Sequence, residues 1–267
     1  MMLRPYNGHL HLETGDLDYI RFGSGKKRLV MIPGLGDGLK TVDGMALPFA
    51  LLYRALTGDF TVWVFSRGWE LEAHTGTRAM AAELNAAMEA LGLTRAAVLG
   101  VSQGGMIAQW LAIDHPERVE KLVLTVTLGR PNDTVREVIA RWTEMAARGD
   151  YRGLMRDTAE RSYSEKRLRQ ERFTLRLMGN IGKPKSFDRF LIQAASCVSH
   201  DAWEALPRIA CPTLVIGGAD DRIVTGRASE ELAARIPGAE LKMYKGLGHG
   251  LYEEAPDFIQ TVADFCR

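Results

Sequence analysis

Residues 96–111, Ala96-Ala97-Val98-Leu99-Gly100-Val101-Ser102-Gln103-Gly104-Gly105-Met106-Ile107-Ala108-Gln109-Trp110-Leu111, decide how this chain folds. A short apolar run ends in a serine flanked at two residues' distance by glycines, and an amphipathic run follows. The pattern reads as strand, sharp turn and helix. Pushing a side chain out of so sharp a turn requires a strained backbone with φ > 0 at Ser102. Bulky residues two places to either side would collide, and Gly100 and Gly104 carry no Cβ to do so. The result is an exposed hydroxyl at a helix N-terminus, where amide dipoles favour developing negative charge. A plain helix start with Ser102 as its N-cap is the competing reading.

A serine hydroxyl is a weak nucleophile until a base takes its proton, and the base must itself be held. The partners should follow in the order acid, then histidine, each after a strand. Thr213-Leu214-Val215-Ile216 runs into Gly217-Gly218-Ala219-Asp220-Asp221, an acid-bearing turn. Leu241-Lys242-Met243-Tyr244 runs into Gly246-Leu247-Gly248-His249-Gly250, a glycine-rich turn with one histidine. That position separates His249 from the other histidines. His9 and His11 fall in the first strand region, His74 follows the fourth strand, His115 precedes Pro116, and His200 lies near the end of an irregular central span.

Outward from these turns, two short strands near 9–14 and 17–22 flank Thr14-Gly15-Asp16. Leu29-Val30-Met31-Ile32 is apolar throughout, as expected of a strand buried on both faces. Phe60 to Phe65 and Lys121 to Thr127 read as further strands, with helices about 44–57, 77–91, 104–114, 227–235 and 256–265. Strands alternating with helices predict an α/β fold: a mostly parallel, doubly wound sheet with helices on both faces and right-handed crossovers. Residues 130–206 break the rhythm. They hold no apolar strand run, and helix-like patterns occur at 135–147 and 165–178. They read as a helical cap inserted after the sixth strand, over the catalytic face, between core segments 1–129 and 207–267.

Pro33-Gly34-Leu35-Gly36, Ser66-Arg67-Gly68, Gly100 to Gly104, His115-Pro116-Glu117-Arg118-Val119, Gly218 to Val224, and Gly248-His249 with Glu254-Ala255-Pro256 carry a resemblance across nearly the whole chain. The set resembles the α/β-hydrolase fold superfamily in its esterase, lactonase and thioesterase group. The resemblance implies a triad of Ser102 as nucleophile, His249 as general base and then acid, and Asp221 as orienting carboxylate. In similar enzymes the acid stands three residues after a glycine and shortly before a Val-like position. Gly218 to Asp221, followed by Arg222-Ile223-Val224, fits best, with Asp220 after Gly217 as the rival. The resemblance also implies an oxyanion hole of backbone N–H groups from Gln103 and Leu35. Relatives often carry His-Gly at this loop. Pro33 replaces that histidine here, and the Leu35 amide is unaffected. Arg67-Gly68 keeps only part of the family's Asp-x-Arg-Gly-x-Gly-x-Ser, so Arg67 reads as a structural ion-pair partner rather than a substrate ligand. Trp69 and Val224 are candidate pocket walls, and the cap would shape the acyl or alcohol pocket.

Composition narrows the remaining classes. At 46% apolar and 25% charged over 267 residues, the chain can build the core of one α/β unit. A formal net charge of +1 gives no case for nucleic acid or an anionic membrane as partner. No stretch is long enough to cross a bilayer. Cys197, Cys211 and Cys266 show neither zinc nor disulfide spacing, and no HExxH or CxxC motif occurs, so neither metal nor cofactor is expected. Gly34-Leu35-Gly36-Asp37-Gly38 misses the third glycine of a dinucleotide fingerprint. Met1 to Asn7 hold no apolar leader run, and a cytoplasmic location is the expectation. Lys166, Arg167, Arg169, Arg172, Arg176, Lys183 and Lys185 read as a solvated face; docking of an acidic carrier protein or a carboxylate-bearing substrate is the alternative. The function expected is cofactor-independent hydrolysis of a small carboxylic ester, lactone or thioester through an acyl-enzyme. A triad lyase or perhydrolase, or a ligand-binding receptor on the same scaffold, are the alternatives, and the oligomeric state stays open.

Overall fold

The computed structural model describes residues 3–170 and 182–267. Eight strands form one sheet: β1 (Tyr6–Leu12), β2 (Gly15–Gly23), β3 (Lys27–Ile32), β4 (Phe60–Phe65), β5 (Ala96–Val101), β6 (Val119–Thr125), β7 (Thr213–Gly218) and β8 (Glu240–Tyr244). Their order is β1-β2-β4-β3-β5-β6-β7-β8. The pairs β1–β2 and β2–β4 are antiparallel, and β4, β3, β5, β6, β7 and β8 run parallel. This is the mostly parallel, doubly wound α/β sheet that the alternation of strands and helices requires.

Alternate residues of the central strands feed two separate cores, because successive side chains of a strand point to opposite faces. Val30, Ile32 and Val98 pack with Ile107 and Leu111 of the Gln103–Asp114 helix and Met80, Leu84 and Met88 of the Thr77–Ala90 helix. Leu29, Met31 and Leu99 pack on the other face with Ala46 and Ala50 of the Ala46–Leu52 helix and with Phe258 and Val262 of the Phe258–Cys266 helix. Both faces are covered, which explains why these strands are continuously apolar.

Between β6 and β7 the described residues hold no strand, and the helices Asp133–Ala147, Tyr151–Ser162 and Asp188–Ser199 lie there. Apolar residues of the first and last, among them Val138, Trp142, Phe190 and Ala194, form a third cluster with Leu35, Met106 and Val224. This helical segment is thereby seated on the ends of the sheet strands. Arg172, Arg176 and most of the helix expected over 165–178 lie outside the described residues.

The strand order reverses direction at β3, which lies between β4 and β5. A crevice outside the carboxyl ends of such strands is where open α/β sheets take ligands. Pairing of Ile32 with Gly100 brings the next residues of β3 and β5, Pro33-Gly34 and Val101-Ser102, side by side at that point.

Candidate active site

Ser102 has φ 55° and ψ −119°, between β5 and the Gln103–Asp114 helix. Its hydroxyl makes no capping bond to that helix, so the N-cap reading fails. The glycines are required by backbone proximity. A Cβ on Gly100 would sit 2.5 Å from the Gly104 carbonyl oxygen, and one on Gly104 would sit 2.0 Å from that of Ile32. Real Cβ atoms do not approach so closely, so the strained turn exists only with glycine at both places.

The freed hydroxyl faces His249. Ser102 Oγ lies 3.0 Å from His249 Nε2, and His249 Nδ1 lies 2.8 Å from Asp221 Oδ2. The loops carrying the last two residues are tied directly. The Ala219 amide donates to the Tyr244 carbonyl at 2.9 Å and the Asp220 amide to that of Leu247 at 3.0 Å. Asp221 is buried, and its Oδ1 accepts from the amides of Ile223 (2.8 Å) and Val224 (3.0 Å). Burial opposes ionisation of this carboxyl, but the facing His249 and the two amides outweigh it and hold its pKa below the ordinary value. Asp220, the rival carboxylate, is exposed. An ionised Asp221 accepting from Nδ1–H fixes the tautomer that leaves the Nε2 lone pair for the serine proton.

Leu35 opens the short 3-10 helix Leu35–Gly38, and Gln103 opens the helix after Ser102. An amide at a helix start has no carbonyl one turn back to bond, so both are available donors. The loop bearing Leu35 approaches closely: a Cβ on Gly34 would stand 3.3 Å from Ser102 Cβ.

The Leu35 loop and Gln103 share a support that the sequence does not signal. Arg67, only 2% exposed, donates through Nη2 to the carbonyls of Pro33 (2.5 Å) and Gly34 (2.9 Å) and to Gln103 Oε1 (2.7 Å). One guanidinium thus bridges the loop before Leu35 and the side chain of Gln103. Gln103 Nε2 in turn donates to Gln193 O (2.8 Å) and Ser196 Oγ (3.0 Å) on the Asp188–Ser199 helix. Arg189 of that helix donates to Asp37 Oδ2 and O, Gly68 O and Arg67 O. Arg67 does sit near a carboxylate, Asp37 at 3.8 Å, but its closer contacts run to the Pro33 and Gly34 carbonyls and to Gln103.

The indole N–H of Trp69 donates to Asp18 Oδ2 (2.9 Å) and its ring meets His9 edge-on, against the N-terminal hairpin. The loop after β4 keeps Gly68 but lacks the second glycine and the serine of the family's pattern. Val224 is buried in the cluster with Leu35 and Met106. His200 is buried, with Nδ1 2.8 Å from Thr77 Oγ1 and Nε2 3.3 Å from Gln109 Oε1, and burial pushes its pKa down to about 4. The thiols are no rivals to Ser102: burial pushes Cys197 and Cys266 up to about 12. Among the described residues no helix is long and apolar enough to cross a membrane.

The model of the family described as alpha/beta hydrolase fold matches residues 27–256. A 2-hydroxy-6-oxononadienedioate/2-hydroxy-6-oxononatrienedioate hydrolase of Pseudomonas putida is 29% identical over 96% of this chain and 94% of its own. A Caulobacter sp. (strain K31) protein whose name proposes carbamate hydrolysis is 30% identical, with 91% of each chain covered. Among solved structures, the enol-lactonase from Burkholderia xenovorans LB400 superposes with TM-score 0.82 at 21% identity, covering 97% of this chain and 99% of that one.

Proposed function

This chain belongs to the α/β-hydrolase fold family, and from that premise we propose that it is a serine hydrolase that opens a small carboxylic ester, lactone or thioester through an acyl-enzyme. One observation carries the reading: the continuous relay from Ser102 Oγ through His249 to Asp221, with links of 3.0 and 2.8 Å, at a positive-φ turn. His249 takes the serine proton as Oγ attacks the carbonyl carbon. The tetrahedral oxyanion is met by the N–H groups of Leu35 and Gln103. His249 then protonates the leaving alcohol or thiol, and water repeats the sequence on the acyl group. The helices between β6 and β7, residues 130–206, act as the cap and shape the acyl pocket.

The Pseudomonas putida relative's name supports a second reading, hydrolysis of a ketone-bearing dicarboxylate. Such a dianion calls for cations at the pocket. Among the described residues, Arg67 is sealed from solvent and Arg189 is engaged by Asp37 and backbone carbonyls, which favours an uncharged acyl group. The test is a panel of p-nitrophenyl acetate to octanoate, matched lactones and thioesters, and a 2-hydroxy-6-oxo-dienedioate. Turnover of neutral esters that disappears in Ser102→Ala is the expected result. Turnover of the dienedioate alone would replace this reading with the second, and an ester turnover that survives Ser102→Ala would remove both.

A further inference from the structure

We propose that the N-terminal hairpin carries a surface site for a divalent transition cation of the zinc class, with His9, His11 and Asp16 as its protein ligands. The hairpin register sets up the arrangement. His11 pairs with Asp16 and His9 with Asp18 across β1 and β2. Residues two apart on a strand share a face, and directly opposed residues share it too, so the four side chains form one square on one face. Each of His9, His11 and Asp16 can offer a donor atom such that all three lie within 4.8 Å of one another. His11 Nδ1 stands 2.6 Å from Asp16 Oδ1, and His9 Nε2 stands 3.5 Å from Asp16 Oδ2. Donors about 2.0–2.2 Å from a zinc-sized ion lie roughly 3–3.5 Å from each other, so small rotations of exposed side chains close the set.

The fourth member of the square is what separates this cluster from a chance surface ion pair. Asp18 is buried, with its side chain 4% exposed. Its Oδ1 lies 3.0 Å from His9 Nδ1, and its Oδ2 accepts the Trp69 indole N–H at 2.9 Å. A carboxylate on Nδ1–H fixes the ring tautomer and turns Nε2 outward as a lone-pair donor, the support that metal-binding histidines commonly have. The Trp69 ring meets the His9 ring edge-on, with centroids 5.1 Å apart, and limits its rotation. Two imidazoles and one carboxylate suit zinc, cobalt, nickel or copper better than calcium or magnesium. Water would complete the coordination.

The site lies on the edge pair of the sheet. Four strand spacings, about 19 Å in all, separate β1 from β5 and Ser102. The cation would therefore clamp the two-stranded edge rather than join the reaction at Ser102. A ligand that binds only the folded hairpin raises the melting temperature by mass action.

The test uses the full chain, stripped with chelator, then titrated with zinc chloride by calorimetry and followed by thermal melting. The expected result is one equivalent bound and a Tm raised by a few degrees. His11→Ala and Asp16→Asn should each weaken binding by roughly tenfold or more, and the zinc-free melting point of His11→Ala should stay near wild type, since that side chain is exposed. Cobalt binding, read by its visible absorption, should be lost in the same variants. His74→Ala and Cys211→Ser are the controls and should bind as wild type does. Failure to take up zinc at micromolar concentration, uptake unchanged in His11→Ala, or uptake lost in Cys211→Ser would each overturn the proposal.

Discussion

Arg67→Lys isolates what the bridging guanidinium does. Lysine keeps the positive charge opposite Asp37 but offers a compact ammonium in place of a planar fork. In the wild type one nitrogen reaches Pro33 O, Gly34 O and Gln103 Oε1 at 2.5, 2.9 and 2.7 Å. An ammonium on a shorter stem can hold either the loop carbonyls or the glutamine, not both. Bonds to a charged donor contribute about 1.5–3 kcal/mol each. Losing one or two lowers Tm measurably without unfolding a domain of ordinary stability. The kinetic consequence falls on the oxyanion hole, because the released element carries Leu35 or Gln103. Removing one such donor outright costs about 2.7–4 kcal/mol. Displacing it should lose about half of that, which is roughly 10–30-fold in kcat. KM should change little, because the ground-state carbonyl draws weakly on the hole. The assay is steady-state hydrolysis of the best p-nitrophenyl ester at a temperature where the variant's melting curve is flat. A folded Arg67→Lys with kcat within about twofold of wild type would show that the hole does not depend on this bridge.

Three further outcomes follow from the same geometry. Asp221→Asn should reduce kcat by about 10⁴-fold through the wrong His249 tautomer, whereas Asp220→Asn, altering an exposed carboxylate, should leave it nearly unchanged; parallel kinetics on the two variants decide between the carboxylates. Gly104→Ala places a methyl 2.0 Å from the Ile32 carbonyl oxygen, so soluble protein with a wild-type melting point would contradict the close approach of β3 to the turn. His200 is held neutral with its pKa lowered to about 4 from 6.5, so the unfolded chain binds the extra proton between those values. Its contribution is fully present above pH 6.5 and is lost as pH falls towards 4, on the order of 3 kcal/mol in total; melting curves across that range should slope less in His200→Gln, and an unchanged slope would refute the assignment.

What the sequence reveals and what it hides divide along a physical line. The serine turn is legible because its cause is local: two missing Cβ atoms flank a strained residue. The turn holding Asp221 is legible because it ends Thr213–Gly218, a strand buried along its whole length, whereas the turn holding His249 follows the edge strand Glu240–Tyr244, which buries none of its residues, and is legible by its glycines and its place after the last strand. The support beneath the hole is not legible. Arg67, Gln103 and Gln193 meet only after the chain has folded, and arginine and glutamine carry no periodic signal. One hint stood in the open: Gln103 and Gln109 are polar positions in a helix otherwise buried nearly throughout. The helices Tyr151–Ser162 and Asp188–Ser199 escaped the pattern reading for a related reason. The first buries Asp157, which accepts from Trp142, Arg141 and Arg161, so a charged residue occupies a place where an apolar one would have marked the face. Trp69 has its N–H satisfied by Asp18 of the N-terminal hairpin, a contact that nothing in the neighbouring sequence signals.

The central claim is that the hydroxyl of Ser102 is a nucleophile activated by His249. Intact-mass spectrometry after treatment with a fluorophosphonate, followed by peptide mapping, tests it most directly. The account predicts a single covalent adduct on Ser102, absent in Ser102→Ala and formed far more slowly in His249→Ala. Wild-type protein that stays unlabelled, or labels equally fast without His249, would contradict it.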